Sequence, residues 1–219
     1  MSAFTILLLV QGSLFALVLF ILAFFLFSLR KRRRIVVHRW QNLPSSDEAD
    51  SEPDPLTRLA NRRGFEKQLE LEWRRALRTM TPISLVMIDV DFLGLFNERY
   101  GKARGDDCLQ IIGGILNRQA FRPGDMAFRV SGEEFFLILP QTEVEGALKV
   151  VARFQDNLSE LVLPHQTSPI SDRVTVSVGV ATMIPDSDSI PDMLLCEADR
   201  ALYHAKKKGR NCVVCGPCH

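Results

Sequence analysis

An α/β (α+β) sandwich of the ferredoxin-like, palm type is the fold class that three observations predict. It has a βαββαβ core and a mainly antiparallel sheet, and one transmembrane helix precedes it. Ile83 to Asp91 is a nearly continuous apolar run, as a strand buried on both faces requires. Two short apolar runs, Met126 to Val130 and Phe135 to Leu139, flank Ser131-Gly132-Glu133-Glu134 and read as a hairpin. Arg173 to Met183 alternates in β-branched residues. Stretches with helical apolar spacing lie between these strands. That order predicts helices on one side of the sheet.

The helices follow from spacing. Phe65, Leu69, Leu71, Trp73, Ala76 and Leu77 predict a helix over Arg62 to Arg78. Asp106 to Gln119, Val144 to Leu161 and Ile190 to Lys207 carry the same period, and Cys212 to Val214 is a last short strand. The patterned region runs from Leu56 to Val214, about 160 residues, the size of one domain.

The chain has 219 residues and a formal net charge of +1, so bulk nucleic-acid binding is not expected. The charge is unevenly spread. Residues 1–29 are almost purely apolar and uncharged, long enough for the roughly 20 residues a membrane-crossing helix needs. Arg30 to Arg34 is a solid basic block, which argues against a cleaved signal peptide and for a cytoplasmic side just past the span. The expected location is the bacterial inner membrane, single-pass, with the remainder cytoplasmic. Residues 30–53 read as a basic juxtamembrane segment and acidic linker, 54–214 as the folded domain, and 215–219 as a cysteine-rich tail.

Acidic residues are the candidates for chemistry. Asp89 and Asp91 close an apolar strand and, at period two, point to one face. Glu133 and Glu134 lie in the hairpin. If that hairpin pairs beside the Asp89 strand, three or four carboxylates converge. Such a cluster repels itself unless a hard cation occupies it, and oxygen donors favour Mg²⁺ or Mn²⁺. Ordinary solvated strand-end acids would give the same spacing.

Five motifs in order give this chain its resemblance to the GGDEF family of diguanylate cyclases. They are Asp54-Pro-Leu-Thr-Arg-Leu-Ala-Asn-Arg-Arg63; Ile88-Asp-Val-Asp-Phe92 followed by Asn97, Gly101 and Gly105-Asp106; Arg129-Val-Ser-Gly-Glu-Glu-Phe135; Val176-Ser-Val-Gly-Val-Ala181; and Ala198 to Asn211 (ADRALYHAKKKGRN). The resemblance implies a homodimer that joins two GTP into cyclic di-GMP and releases two pyrophosphates. By it, Asp89, Glu133 and the Val90 carbonyl hold Mg²⁺ or Mn²⁺, and Glu134 assists deprotonation of the ribose 3′-hydroxyl. Asn97 and Asp106 recognise guanine, a carboxylate accepting from both N1–H and the 2-amino group. Gly132 lets the hairpin turn tightly and approach the nucleotide. Lys206 and Arg210 grip the β- and γ-phosphates. Arg122 and Asp125 fit an inhibitory product site of RxxD form, although Pro123-Gly124 by itself predicts a turn.

The chain departs from the family pattern at several positions. Ser131 stands where the family has a first glycine, adding a Cβ and a hydroxyl that the hairpin accommodates or that force a strained φ. Leu93-Gly94 replaces Phe-Lys, and Glu98 and Lys102 replace a common Asp and His. These departures keep alternatives open: a catalytically degenerate receptor for GTP or cyclic di-GMP, or a membrane scaffold that binds no nucleotide. Cys108 and Cys196 read as small core residues. Cys212, Cys215, Cys218 and His219 have spacing that suits a reduced tail, a thioredoxin-like pair, or zinc or an Fe–S cluster.

Overall fold

A computed structural model describes residues 53–120 and 122–216. The expected membrane helix over 1–29, the linker up to residue 52, Cys218 and His219 lie outside the described residues. Among the described residues no helix is long and apolar enough to cross a membrane.

Helix α1 (Arg62–Thr79) starts where the Asn61 side chain accepts from the Gly64 amide at 2.9 Å, a side-chain N-cap. It buries Phe65, Leu69, Trp73 and Ala76 and ends at Met80, whose φ of 51° turns the chain out of the helix. Then come β1 (Ile83–Val90), α2 (Leu93–Tyr100), α3 (Lys102–Gln119), β2 (Met126–Ser131), β3 (Glu134–Pro140), α4 (Val144–Glu160), β4 (Val176–Met183), α5 (Pro191–Lys207) and β5 (Val213–Cys215).

The sheet order is β2-β3-β1-β4-β5. β1 is antiparallel to both β3 and β4, β2 is antiparallel to β3, and only β5 joins in parallel. This is the expected βαββαβ core with one edge strand added. Every residue of β1 and of β4 is buried, as the apolar run at 83–91 requires.

The helices do not lie on one side. Val86, Ile88, Phe135, Leu137 and Val178 face one core with Leu109, Ile112, Leu116, Ala147, Val151 and Phe154 of α3 and α4. Alternate residues face the other side. There Phe65 of α1 stands edge-on to Phe128 and Phe136, with ring centroids 5.4 and 4.9 Å apart. On the same side Gly179 lies under α5 so closely that a Cβ would come within 2.3 Å of the Ala198 carbonyl. Period two with apolar residues at both parities dictates helices on both faces.

The spacing did not predict α2. It buries only Leu93 and Phe96 and has no side-chain cap. Gly101, at φ 87°, ends it and starts α3, four residues before the expected Asp106. β4 begins at Val176 rather than Arg173, because Thr175 instead gives its carbonyl to the Asp91 amide at 2.9 Å.

Candidate active site

The site stands at one end of the sheet, where β1 stops and the β2–β3 loop turns. Asp89 pairs directly across from Glu134 on β3 and from Ser177 on β4, so these three side chains share the face that carries α5. Asp89 is 5 % and Glu134 8 % exposed. Glu133 lies in the loop, and its carbonyl accepts from the Val90 amide at 3.2 Å, tying the loop to the end of β1. The last turn of α5 brings Lys206 Nζ within 2.6 Å of Asp89 Oδ2.

The electrostatics separate these acids into two kinds. Burial pushes Asp89 above the ordinary carboxyl range, and the charges of Glu134 and Asp91 add to that; Lys206 opposes it. Burial also raises Glu133, helped by Asp89, Glu134 and Asp91, again against Lys206. These two are crowded, and one ammonium serves them. Asp91 is different. It is 1 % exposed and accepts from Thr175 Oγ1 at 2.8 Å, Ser177 Oγ at 2.6 Å and the Asn211 amide at 3.1 Å. Its Oδ1 also lies 3.8 Å from Arg210 Nε. Asp91 thus shares the Asp89 face, but as a hydrogen-bonded post that fixes the chain after α5. Arg210 is held further by its guanidinium carbon 4.4 Å over the Phe92 ring.

Among the described residues no group of three or more His, Cys, Asp or Glu is set in ready metal-binding geometry. Asp89, Glu133 and the Val90 carbonyl nevertheless fit a hard divalent cation in their chemistry. They are oxygen donors, two of them half-buried or buried carboxylates whose affinity for a proton is raised by burial and by neighbouring acids.

The expected guanine residues occupy adjoining helices, Asn97 on α2 and Asp106 on α3. Asn97 Oδ1 is buried and has no hydrogen-bond partner among the described residues. A Cβ on Gly105 would come within 1.8 Å of that oxygen, so glycine is needed for the two helices to meet there. Gly132 has no positive φ, and nothing lies within 4 Å of an added Cβ. The hairpin backbone does not itself require a glycine here, and the space beside Gly132 is open. Ser131 has no positive φ either, so its Cβ brings no backbone strain. Its hydroxyl donates to Glu134 Oε2 at 2.5 Å.

Two sets of residues escaped the sequence reading. Arg129 donates to both oxygens of Asp54, at 3.1 and 3.2 Å, and to the Gly132 carbonyl at 2.7 and 3.2 Å. Burial works against the Asp54 charge, but Thr57, through hydroxyl and amide, and Arg129 outweigh it and hold Asp54 below the ordinary range. The two motifs look unrelated in sequence; the fold joins them into a brace for the β2–β3 loop. Arg153 on α4 is the other omission. Asp125 accepts from the Arg122 amide at 3.2 Å, closing the predicted turn. Burial raises Asp125, opposed by Arg122 and by Arg153. An exposed arginine on an amphipathic helix carries no sequence signal of this.

Cys108 is buried at 1 % exposure, which pushes its thiol up to about 11, and it packs in the core as expected. Cys196 is half-buried on α5, Cys212 approaches the Ala205 carbonyl at 3.5 Å, and Cys215 is exposed on β5.

A palm-type α/β domain with an acidic sheet end, faced by a lysine of its last helix and an arginine just after it, is the class this fold and site define. The chain belongs to the GGDEF family: the family model described as "Diguanylate cyclase, GGDEF domain" matches residues 51–212. It is 34% identical over 186 residues to the response regulator PleD of Caulobacter vibrioides, covering 84% of this chain and 40% of that protein. It is 36% identical over 161 residues to the diguanylate cyclase DgcM of Escherichia coli, covering 74% and 37%. The chain thus spans less than half the length of these curated relatives. Among solved structures it resembles the GGDEF domain of DgcB from Caulobacter crescentus in complex with c-di-GMP, with a TM-score of 0.68 at 29% identity, covering 78% of this chain and 98% of that one. It also resembles the active GGEEF domain of a diguanylate cyclase from Vibrio cholerae, with a TM-score of 0.63 at 27% identity, covering 73% and 98%.

Proposed function

We propose that this protein is an active diguanylate cyclase that converts two GTP into cyclic di-GMP and two pyrophosphates. The observation that carries the reading is the survival of Asp89, Glu133 and Glu134 together at the sheet end, with Lys206 at 2.6 Å from Asp89 and Arg210 beside Asp91. Asp89, Glu133 and the Val90 carbonyl would hold Mg²⁺ or Mn²⁺, which when bound neutralises charge on the triphosphate and the leaving pyrophosphate.

The chain's own residues do the rest by position. Lys206 and Arg210 bind the β- and γ-phosphates, Arg210 already oriented by Phe92 and Asp91. Asn97, with its unpartnered buried oxygen, and Asp106 read the guanine edge. The ribose 3′-oxygen of one GTP forms a bond to the α-phosphorus of the other, the α–β bridging P–O bond breaks, and pyrophosphate leaves with the electron pair. The 3′-hydroxyl proton passes toward Glu134. The same step repeated in the opposite sense closes the ring. A single domain offers one such set of residues, so two domains must face each other in a homodimer. We assign residues 1–29 as a single-pass anchor in the bacterial inner membrane, with the catalytic domain cytoplasmic. Confinement there raises the chance of encounter.

The test is to incubate the full-length protein, in lipid, with GTP and Mg²⁺ and to identify the product by mass. Cyclic di-GMP formation with specific activity that rises with protein density supports the reading. A receptor reading is favoured instead if cyclic di-GMP binds at Arg122, Asp125 and Arg153 while GTP is returned unchanged.

A further inference from the structure

We infer that Ser131, the residue that breaks the family's double glycine, is a positioning residue that fixes the carboxylate of Glu134 for the reaction. This rests on the cyclase reading above.

Ser131 is the last residue of β2 and pairs directly with Glu134, the first of β3, so the two flank the Gly132-Glu133 loop. The β2 register shifts between Arg129 and Ser131, a bulge that re-aims the side chain after it. The Ser131 hydroxyl then donates to Glu134 Oε2 at 2.5 Å. Arg129, two residues earlier, holds the Gly132 carbonyl, so the loop on which this contact depends is braced from outside.

A device of this kind has a clear physical use here. Glu134 is 8 % exposed and faces Asp89 across the ladder, and its charge acts on both Asp89 and Glu133. Like charges push a long, three-torsion side chain out of such a cluster. A lysine or arginine would pin it, but would also cancel the negative charge the site needs. A neutral hydroxyl pins one oxygen and leaves the charge in place. Glycine at 131 has no side chain to offer, so a protein with glycine there must order its glutamate by other means. Because Ser131 has no positive φ, the substitution costs no strain, and it gains a contact. Oε2 is then the oxygen committed to the hairpin, and the carboxylate's orientation toward the ribose is set before substrate arrives. Lys206, Arg210, Asn97 and Asp106 do not depend on Ser131, so substrate affinity stays the same.

The experiment compares wild type with Ser131→Ala, Ser131→Gly and Ser131→Thr in full-length protein. The expected result is a kcat about three- to tenfold lower in the Ala and Gly variants, with KM for GTP within about twofold, and recovery in the Thr variant. The second readout does not need turnover. It is the side-chain carboxyl ¹³C resonance of Glu134, assigned with Glu134→Gln, in protein without nucleotide. It moves in the Ala and Gly variants and returns in Thr if the contact exists. An unmoved resonance together with wild-type kcat in both Ala and Gly overturns the inference. If wild type forms no product, the cyclase reading fails separately. The resonance then decides Ser131 by itself: unmoved in Ala and Gly overturns the contact, and displaced in both with return in Thr upholds it.

Discussion

Two carboxylate regions lie on opposite sides of the same hairpin and obey opposite rules. On the outer side Asp54 is held by Thr57 and Arg129 and falls below the ordinary carboxyl range. On the inner side Asp89 and Glu133 are raised above it by burial and by the neighbouring carboxylates Glu134 and Asp91. The outer acid stabilises the fold and the inner ones oppose it. A protein keeps acids in the second state where it needs their charge for binding or chemistry. The hairpin joins the two: Arg129 grips the Gly132 carbonyl one residue before Glu133.

The largest expected effect is at the inner region. Asp89→Ala and Glu133→Gln should each lower cyclic di-GMP formation more than about a hundredfold, while circular dichroism shows an unchanged fold. Turnover near wild type in both variants would remove the catalytic role from this cluster.

Next is the brace. Arg129→Ala leaves Asp54 part-buried without its ion pair and frees the Gly132 carbonyl, so it should destabilise the domain by about 1–3 kcal/mol by denaturant titration. Lys in place of Arg129 should recover less than half of that, because one ammonium cannot bridge Asp54 and Gly132 with the planar fork. A variant as stable as wild type would mean the two regions are not mechanically joined.

A smaller effect separates the regions by pH. Asp54 has its folded value depressed below 3.8. Its contribution is therefore fully present above 3.8 and is lost as pH falls through the folded value. Asp54→Asn should melt below wild type at pH 7, and the gap should close in strong acid. A gap that is constant with pH would show that the bond geometry matters and the charge does not.

The smallest effect on the domain itself lies at the turn, where Arg122→Ala and Arg153→Ala should leave initial rates unchanged. Each should weaken inhibition by added cyclic di-GMP about tenfold, read as the shift of the inhibition curve. Identical curves would leave Arg122-Pro-Gly-Asp125 as a turn and nothing more.

The sequence showed the inner region more clearly than the outer one, for physical reasons. Asp89 and Asp91 sit at period two on an apolar strand, and Glu133 and Glu134 sit between two short strands, so their meeting required only antiparallel pairing. Strand alternation and helical spacing likewise marked β1, β4, α1, α4 and α5. Three things were hidden. Helix α2 is too short to show a period and follows Phe92, whose φ is 56° and which gives no side-chain cap. The Asp54–Arg129 pair depends on the segment before α1 lying along β2, where the Arg129 amide meets the Ala60 carbonyl at 2.9 Å, and nothing local encodes that. The division of Asp89 from Asp91 was also invisible. Both are acids at the same parity, but Thr175, Ser177 and Asn211 give their hydrogen bonds to the second.

The claim that the inner acids are retained against stability is tested most directly by melting Glu133→Gln beside wild type across pH, without nucleotide or divalent cation. Glu133 has its folded value raised above 4.5. The folded protein therefore binds more protons than the unfolded chain between 4.5 and that raised value, and stability falls as pH rises through the window. Glutamine does not titrate. The account predicts that Glu133→Gln melts above wild type at pH 7 and that the advantage shrinks to nothing as pH falls below 4.5. A variant that melts below wild type at pH 7 would show that Glu133 supports the fold, and would contradict the account.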